Sequence, residues 1–348
     1  MRRAAPPAAR PVVTPRATCR QPLTPVDTLH GWVAEHARRR PDAVALRCAE
    51  GVESVVSYRT LDAAAAGLAA RLRAYGVRPG DVVPVRLPRG PSLVAALVGV
   101  LRCGAAYVAL PVDWPVDRTA ALAGRYAAPL VIDLDPASWP PSASGRPVRP
   151  ASGRPVPLAL GVPAGLAGWT RWGSYRAAGM TGADPAGVFG APAGADEPRT
   201  APCMHRTALA TLRDGGSVRL GPDTVTLQAA SPAEAGFGFE VWGALVRGGC
   251  CVVAPSGPLA PAMLRTAIGW DGVTTLLLTT VVFATLLDAD LDCFAGVREV
   301  VTSGGPLPAA HVRRFAARYP GTPLVTGSAA ATLFGAGRPA PVGATAAA

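Results

Sequence analysis

Lysine is absent from this chain of 348 residues, whereas arginine occurs 34 times. No P-loop lysine and no Schiff-base lysine can exist here, and every cationic contact to a phosphate falls to arginine, a planar fork rather than a compact ammonium. Asparagine is missing too, and isoleucine occurs only as Ile132 and Ile268, as a coding bias against AT-rich codons would produce. No apolar run reaches the roughly 18 residues that a membrane-spanning helix needs. The Arg2-Arg3 start leads into proline-rich sequence instead of an apolar segment, so neither a secretory nor a twin-arginine leader is expected. The seven cysteines (Cys19, Cys48, Cys103, Cys203, Cys250, Cys251, Cys293) include no C-x-x-C pair. That spacing predicts buried, reduced thiols in a cytoplasmic protein and excludes a disulfide framework.

Hydrophobic residues make up 49% of the chain, ample for a buried core, and only 16% are charged. The net charge of +11 suggests nucleic acid until it is located along the chain. Residues 1–26 carry Arg2, Arg3, Arg10, Arg16 and Arg20 and no acid; residues 136–183 carry Arg146, Arg149, Arg154, Arg171 and Arg176 and no acid. These stretches supply all but one unit of the excess, so no basic nucleic-acid face is expected on the remainder.

Residues 1–26 are rich in Pro, Ala and Arg and read as a disordered tail. Apolar residues then recur at helical spacing, predicting helices over Thr28–Arg39, Leu61–Tyr75 and Ser92–Arg102, stopped by Pro41, Gly76 and Gly104. Short apolar runs such as Val82–Leu87 and Leu130–Ile132 alternate with them, the pattern of an α/β domain with a largely parallel sheet. Over 136–183 the pattern fails, and Ser144-Gly145-Arg146-Pro147-Val148 is echoed at Ser152-Gly153-Arg154-Pro155-Val156. We read that stretch as a low-complexity linker, poorly packed against one α/β body. Alternation resumes with strands near Thr224–Gln228, Cys250–Val253, Val273–Leu278, Val297–Thr302 and Leu324–Val325, and helices over Phe237–Arg247, Ala260–Trp270 and Ala309–Tyr319.

Several blocks resemble one family in its own order. They are Ser57-Tyr58-Arg59-Thr60-Leu61-Asp62, Gly76-Val77-Arg78-Pro79-Gly80-Asp81, Leu101-Arg102-Cys103-Gly104-Ala105-Ala106-Tyr107-Val108, Phe239-Glu240-Val241-Trp242-Gly243-Ala244-Leu245, and Leu307-Pro308-Ala309-Ala310-His311. Together they resemble the amino-acid adenylation domains of nonribosomal peptide synthetases, within the adenylate-forming or AMP-binding enzymes. The resemblance implies the N-terminal core of that fold, with layered, largely parallel sheets and surrounding helices, over residues 27–343 with the 136–183 interruption and a short tail at 344–348. The family's small C-terminal domain, with its catalytic lysine, is expected to be absent. In an intact member the resemblance implies ATP- and Mg²⁺-dependent activation of a carboxylate and transfer to a carrier protein.

The positions that would carry this chemistry are altered. The family's phosphate loop, approximately T-S-G-S-T-G-x-P-K-G, falls on Ala191–Thr200, where Gly194 and Pro198 match and Arg199 replaces lysine. A phosphate cradle needs converging N–H groups and hydroxyls. Pro192 removes an N–H, Ala191 and Ala195 remove hydroxyls, and Asp196 and Glu197 bring negative charge. Ala235 stands where amino-acid-activating members place an aspartate for the substrate amine, with Glu234 beside it and Phe239 in the block that lines the acyl pocket. Ser328 replaces the adenine-stacking aromatic. Thr332, or Ala330 at an alternative offset, replaces the glutamate that would help hold Mg²⁺. The expectation is an AMP-binding, adenylation-like protein impaired in catalysis, a pseudoenzyme or a residual or partner-completed ligase, with no catalytic residue assigned, no metal site, and ATP and Mg²⁺ expected only of intact members. The alternative is a non-catalytic partner of a synthetase subunit or carrier protein.

Other chemistries find less support. Val301-Thr302-Ser303-Gly304-Gly305 lacks the first glycine of a nucleophile elbow. Of His30, His36, His205 and His311, His205 is expected to pack or cap locally. Cys250-Cys251 lies in an apolar strand, where inert thiols are expected. Trp169 and Trp172 among arginines suggest partner binding or disorder more than base stacking.

Overall fold

A computed structural model describes residues 27–48, 54–134, 158–163, 165–177, 179–190, 200–214, 218–326 and 340–341. The tails expected at 1–26 and 344–348 lie outside the described residues.

The first helix, α1 (Leu29–Arg39), starts where the Thr28 side chain accepts the Gly31 N–H at 3.2 Å and ends with His36, Arg38 and Arg39 in the last turn, where the helix dipole favours cations. β1 (Val44–Cys48) and β2 (Val55–Ser57) pair antiparallel. α2 (Tyr58–Ala74) begins three residues before its expected start because Ser57 caps the Thr60 N–H. Gly76, at φ +86°, supplies the left-handed turn that ends it. β3 (Val82–Arg86), α3 (Pro91–Arg102), β4 (Ala106–Ala109), α4 (Val116–Arg125) and β5 (Leu130–Asp133) continue the alternation. Ten of the twelve residues of α3 are buried, as expected of a helix with apolar side chains on every face.

After β6 (Leu158–Gly161) and a 3-10 helix (Leu166–Trp172) come β7 (Pro185–Gly190), β8 (Thr200–Met204), α5 (His205–Asp214), β9 (Val225–Gln228), α6 (Ala235–Leu245), β10 (Cys250–Val253), α7 (Pro261–Gly269), β11 (Thr275–Thr279), α8 (Thr280–Ala289), β12 (Glu299–Ser303), α9 (Ala309–Arg318), β13 (Leu324–Thr326) and β14 (Ala340–Pro341). One sheet has the order β14-β13-β12-β11-β9-β10-β1-β2, the other β6-β5-β3-β4-β7-β8. Both are parallel except at β1/β2, β7/β8 and β13/β14.

Successive strand residues face opposite sides of the first sheet, and both sides are buried. Leu277, Val301 and Cys251 join one core cluster with Leu46, α2, α3, α6 and second-sheet residues such as Val83, Val85 and Ile132. Their neighbours Leu276, Leu278, Val300 and Val252 join another with α7, α8 and α9. The near-continuous apolar strand runs follow from this double burial. Two hydrogen bonds tie the layers: Trp242 Nε1 of α6 donates to the Tyr107 hydroxyl of β4 at 2.7 Å, and the Tyr58 hydroxyl donates to Gly249 O at 2.8 Å. Among the described residues no helix is long and apolar enough to cross a membrane.

The linker reading of 136–183 is corrected for its described parts. Residues 158–161 add β6 to the sheet in register with β5, pairing Leu130 with Leu158 and Ile132 with Leu160. Residues 166–172 pack on α2. Leu166, Trp169 and Trp172 repeat every third residue, the period of a 3-10 turn. Trp169 is fully buried, and its Nε1 donates to Pro163 O at 2.9 Å. A Cβ on Gly67 would lie 2.0 Å from the Trp169 carbonyl oxygen, so this close approach requires glycine.

Candidate functional site at the strand ends

In an open parallel sheet each strand delivers its following loop to one edge, and ligands gather outside those carboxyl ends. At that edge of the first sheet stand Gln228, Val253, Thr279, Ser303 and Thr326, the last residues of β9 to β13. Two antiparallel pairs bracket the altered motifs: Gly190 pairs with Thr200, and Thr326 with Ala340. The expected phosphate-loop positions Gly194, Pro198 and Arg199, and the expected adenine and Mg²⁺ positions Ser328 and Thr332, lie between those pairs and outside the described residues.

The described part of this edge centres on the start of α6. Glu234 is the N-cap residue but makes no side-chain cap bond, and Ala235 opens the helix. Phe239 is buried in the central core with Phe237. One turn deeper, Glu240 is wholly buried and accepts the backbone N–H groups of Ala229 (3.0 Å) and Ala230 (3.0 and 3.2 Å), which follow β9. Burial pushes the Glu240 carboxyl up to about 8, and Glu234 adds to the rise, while those two N–H groups and Arg89, from the loop after β3, oppose it. Glu234, half-buried, is also raised by burial and lowered by Arg89. The cluster thus holds two carboxyls that resist ionisation and one guanidinium that serves both.

The sequence reading named Glu234, Ala235 and Phe239 and missed the partnership of Glu240 with Arg89. A lone acid in the otherwise apolar run Gly236–Val246 was the available signal, because a buried carboxyl requires fixed partners.

His205 opens α5 and, fully buried, accepts the Leu29 N–H on Nδ1 at 3.1 Å, which places its proton on Nε2. Its ring meets that of His30 edge-on, with centroids 5.5 Å apart. Burial, joined at His30 by the charges of His205 and Arg102, holds both imidazoles down at about 3. The pair joins α1 to α5 as neutral packing groups. The six described cysteines are buried, and burial pushes Cys250 up to about 11 and Cys203 to about 12, far from nucleophilic thiolates. Among the described residues no three His, Cys, Asp or Glu side chains gather to hold a metal ion.

Comparison with known proteins agrees with this architecture. The AMP-binding enzyme family matches residues 33–155 and 197–336. Malpibaldin synthetase of Mortierella alpina is 30% identical over 251 residues, covering 72% of this chain and 4% of that protein. Syringomycin synthase SyrB1 of Pseudomonas syringae pv. syringae is 30% identical over 308 residues, covering 86% of this chain and 47% of that one. Among solved structures, holo-PA1221, a synthetase protein containing adenylation and PCP domains, superposes with a TM-score of 0.72 at 27% identity, covering 86% of this chain and 49% of that one. The N-terminal subdomain of Klebsiella oxytoca NpsA has the same fold, with a TM-score of 0.70 at 22% identity, over 86% of this chain and 73% of that one. The chain thus spans less than half of these curated relatives, and across the share it spans it belongs to the AMP-binding enzyme family, as an adenylation domain of the nonribosomal peptide synthetase kind.

Proposed function

We propose that this chain is an adenylation-type core impaired in ATP-dependent carboxylate activation, and that it acts in peptide synthesis by binding a synthetase subunit or a carrier protein. The loop sequence Ala191–Thr200 carries the reading: it holds two carboxylates and two prolines, and a single hydroxyl at Thr200. Loss of one preorganised donor costs about 3 kcal/mol of transition-state stabilisation, and here several are gone together.

ATP and Mg²⁺ are the groups the family implies, and the residues present do not fit them. Glu240, the buried carboxyl at the strand ends, spends its oxygens on the N–H groups of Ala229 and Ala230. The charge of Arg89 acts on the carboxyls of both Glu234 and Glu240 and lowers the pKa of each. Neither Thr332 nor Ala330 offers the carboxylate that a hard cation prefers. No reaction step is assigned to the nucleotide. Ala235 removes the acid that would pair with a substrate ammonium, which makes a free α-amino acid a poor ligand.

A carrier-protein partner is supported by PA1221, which contains adenylation and PCP domains. The buried thiols support a reducing compartment, the cytoplasm.

The full chain is expected to show no carboxylate-dependent pyrophosphate exchange and no saturable MgATP binding at low millimolar nucleotide. Calorimetry that finds micromolar MgATP binding, abolished by Arg199→Ala, would revive the ligase reading, because a guanidinium can hold phosphate bidentately.

A further inference from the structure

Several exposed arginines that the fold positions are tied to acids, among them Arg59 to Asp42, Arg298 to Asp223, Arg314 to Asp288 and Arg318 to Asp292. On one face arginines gather over aromatic rings instead. Where the 3-10 helix lies on α2, the Arg71 guanidinium sits 4.6 Å above the Trp172 ring and 5.4 Å above that of Tyr75, and the Arg73 guanidinium 5.8 Å above Tyr175. Arg171 and Arg176 stand exposed beside them with no ion-pair partner among the described residues. Neither residues 63–80 nor residues 136–183 contain an acid. The contributing stretch, 165–177, falls in the gap between the two segments matched by the family, and Trp169 anchors it in the core.

We infer that this arginine and aromatic face, built by the end of α2 and residues 171–176, is a docking surface for an acidic protein partner. An unneutralised cationic surface meets its complement in carboxylates, which speed encounter and fix orientation. Stacking on rings and the bond from Arg73 Nη1 to Val77 O at 2.7 Å hold two of the guanidiniums in place, which lowers the entropy lost on binding. Tyr75, 44% exposed, adds an amphipathic ring at the rim. Single-stranded nucleic acid would need free ring faces for its bases. Trp169 is buried, Trp172 is stacked against it at 5.9 Å, and Arg71 covers Trp172. An acidic protein surface therefore fits better. The inference goes beyond the functional reading above and does not depend on whether the chain adenylates.

Fluorescence anisotropy with the full chain tests it, using a labelled glutamate-rich amphipathic helical peptide and, separately, a labelled single-stranded oligodeoxythymidine. Saturable, salt-sensitive peptide binding is expected, weakened at least about tenfold, or about 1.4 kcal/mol, by the double substitution Arg171→Glu, Arg176→Glu. Both side chains are exposed, so the variant should keep the wild-type circular dichroism; Tyr75→Ser provides a second, uncharged lesion with a smaller loss in the same direction. Peptide binding unchanged by the double substitution would place the affinity on other arginines and overturn the proposal. So would an absence of peptide binding, or tighter oligonucleotide binding lost through the same two residues.

Discussion

Two seams hold this core together by opposite means. Between α2 and residues 166–172 the contact is one of shape: a glycine at 67 lets the Trp169 backbone approach, and an indole fills the space beneath. At the α1–α5 junction and at the strand ends the contact is polar: buried imidazoles at 30 and 205, and a buried carboxyl at 240 that accepts two backbone N–H groups. Apolar packing is indifferent to pH and intolerant of volume change. A buried titratable group is the reverse, because each unit of pKa shift couples folding to protons. The first seam should therefore fail on truncation and the second on titration.

Truncating the indole should produce the largest effect. Trp169→Ala is expected to cost about 3–5 kcal/mol, the range for emptying a buried aromatic site, read as a lower midpoint in urea with little change of slope. A loss below about 0.5 kcal/mol would mean that 166–172 is a detachable strap and that the seam contributes little to the core.

How much of this was legible follows the same division. The stripes of α1, α2 and α3 are apolar at helical spacing and were readable from sequence alone, with starts displaced only where a cap such as Ser57 set them. The element at 166–172 was hidden by Pro, Gly and Ala around it, although its three-residue period was present. α8 escaped because Thr279-Thr280-Val281-Val282 is β-branched and continues a strand's apolar run; its start is fixed by the Thr279 hydroxyl on the Val282 N–H at 3.2 Å. The site was less legible. A motif read along the chain locates Ala235, but that Arg89, about 150 residues away in sequence, serves Glu240 is a property of the folded sheets.

The acid limb tests the imidazoles. His205 sits at about 3, below the ordinary 6.5, so the folded state binds fewer protons than the unfolded one between those values. Its stability contribution is complete above 6.5 and is lost as pH falls towards 3, by about 2 kcal/mol between pH 6.5 and 5. His205→Asn keeps an oxygen that can accept the Leu29 N–H and removes the titration. It should therefore lose about 2 kcal/mol less stability than wild type over that interval. Equal acid sensitivity in variant and wild type would show that water reaches the His205 ring.

The smallest effect, and the sharpest contrast with the imidazoles, belongs to Glu240. Its folded value of about 8 lies above the usual carboxylate range, so here the folded state binds more protons than the unfolded one. Stability from this group is complete below the ordinary value and is lost as pH rises through about 8, the opposite slope to that of His205. Between pH 7 and 8, near the end of that window, the loss is about 1 kcal/mol. Glu240→Gln can place its amide oxygen where Oε2 accepts both the Ala229 and Ala230 N–H groups, so it should fold while losing this slope. Urea denaturation at pH 7 and pH 8 should show wild type losing about 1 kcal/mol more than the variant over the interval. Parallel losses would mean that Arg89 keeps Glu240 ionised in the fold. The strand-end cluster would then be a buried ion pair, stable towards alkali, and the contrast between the two polar sites would disappear.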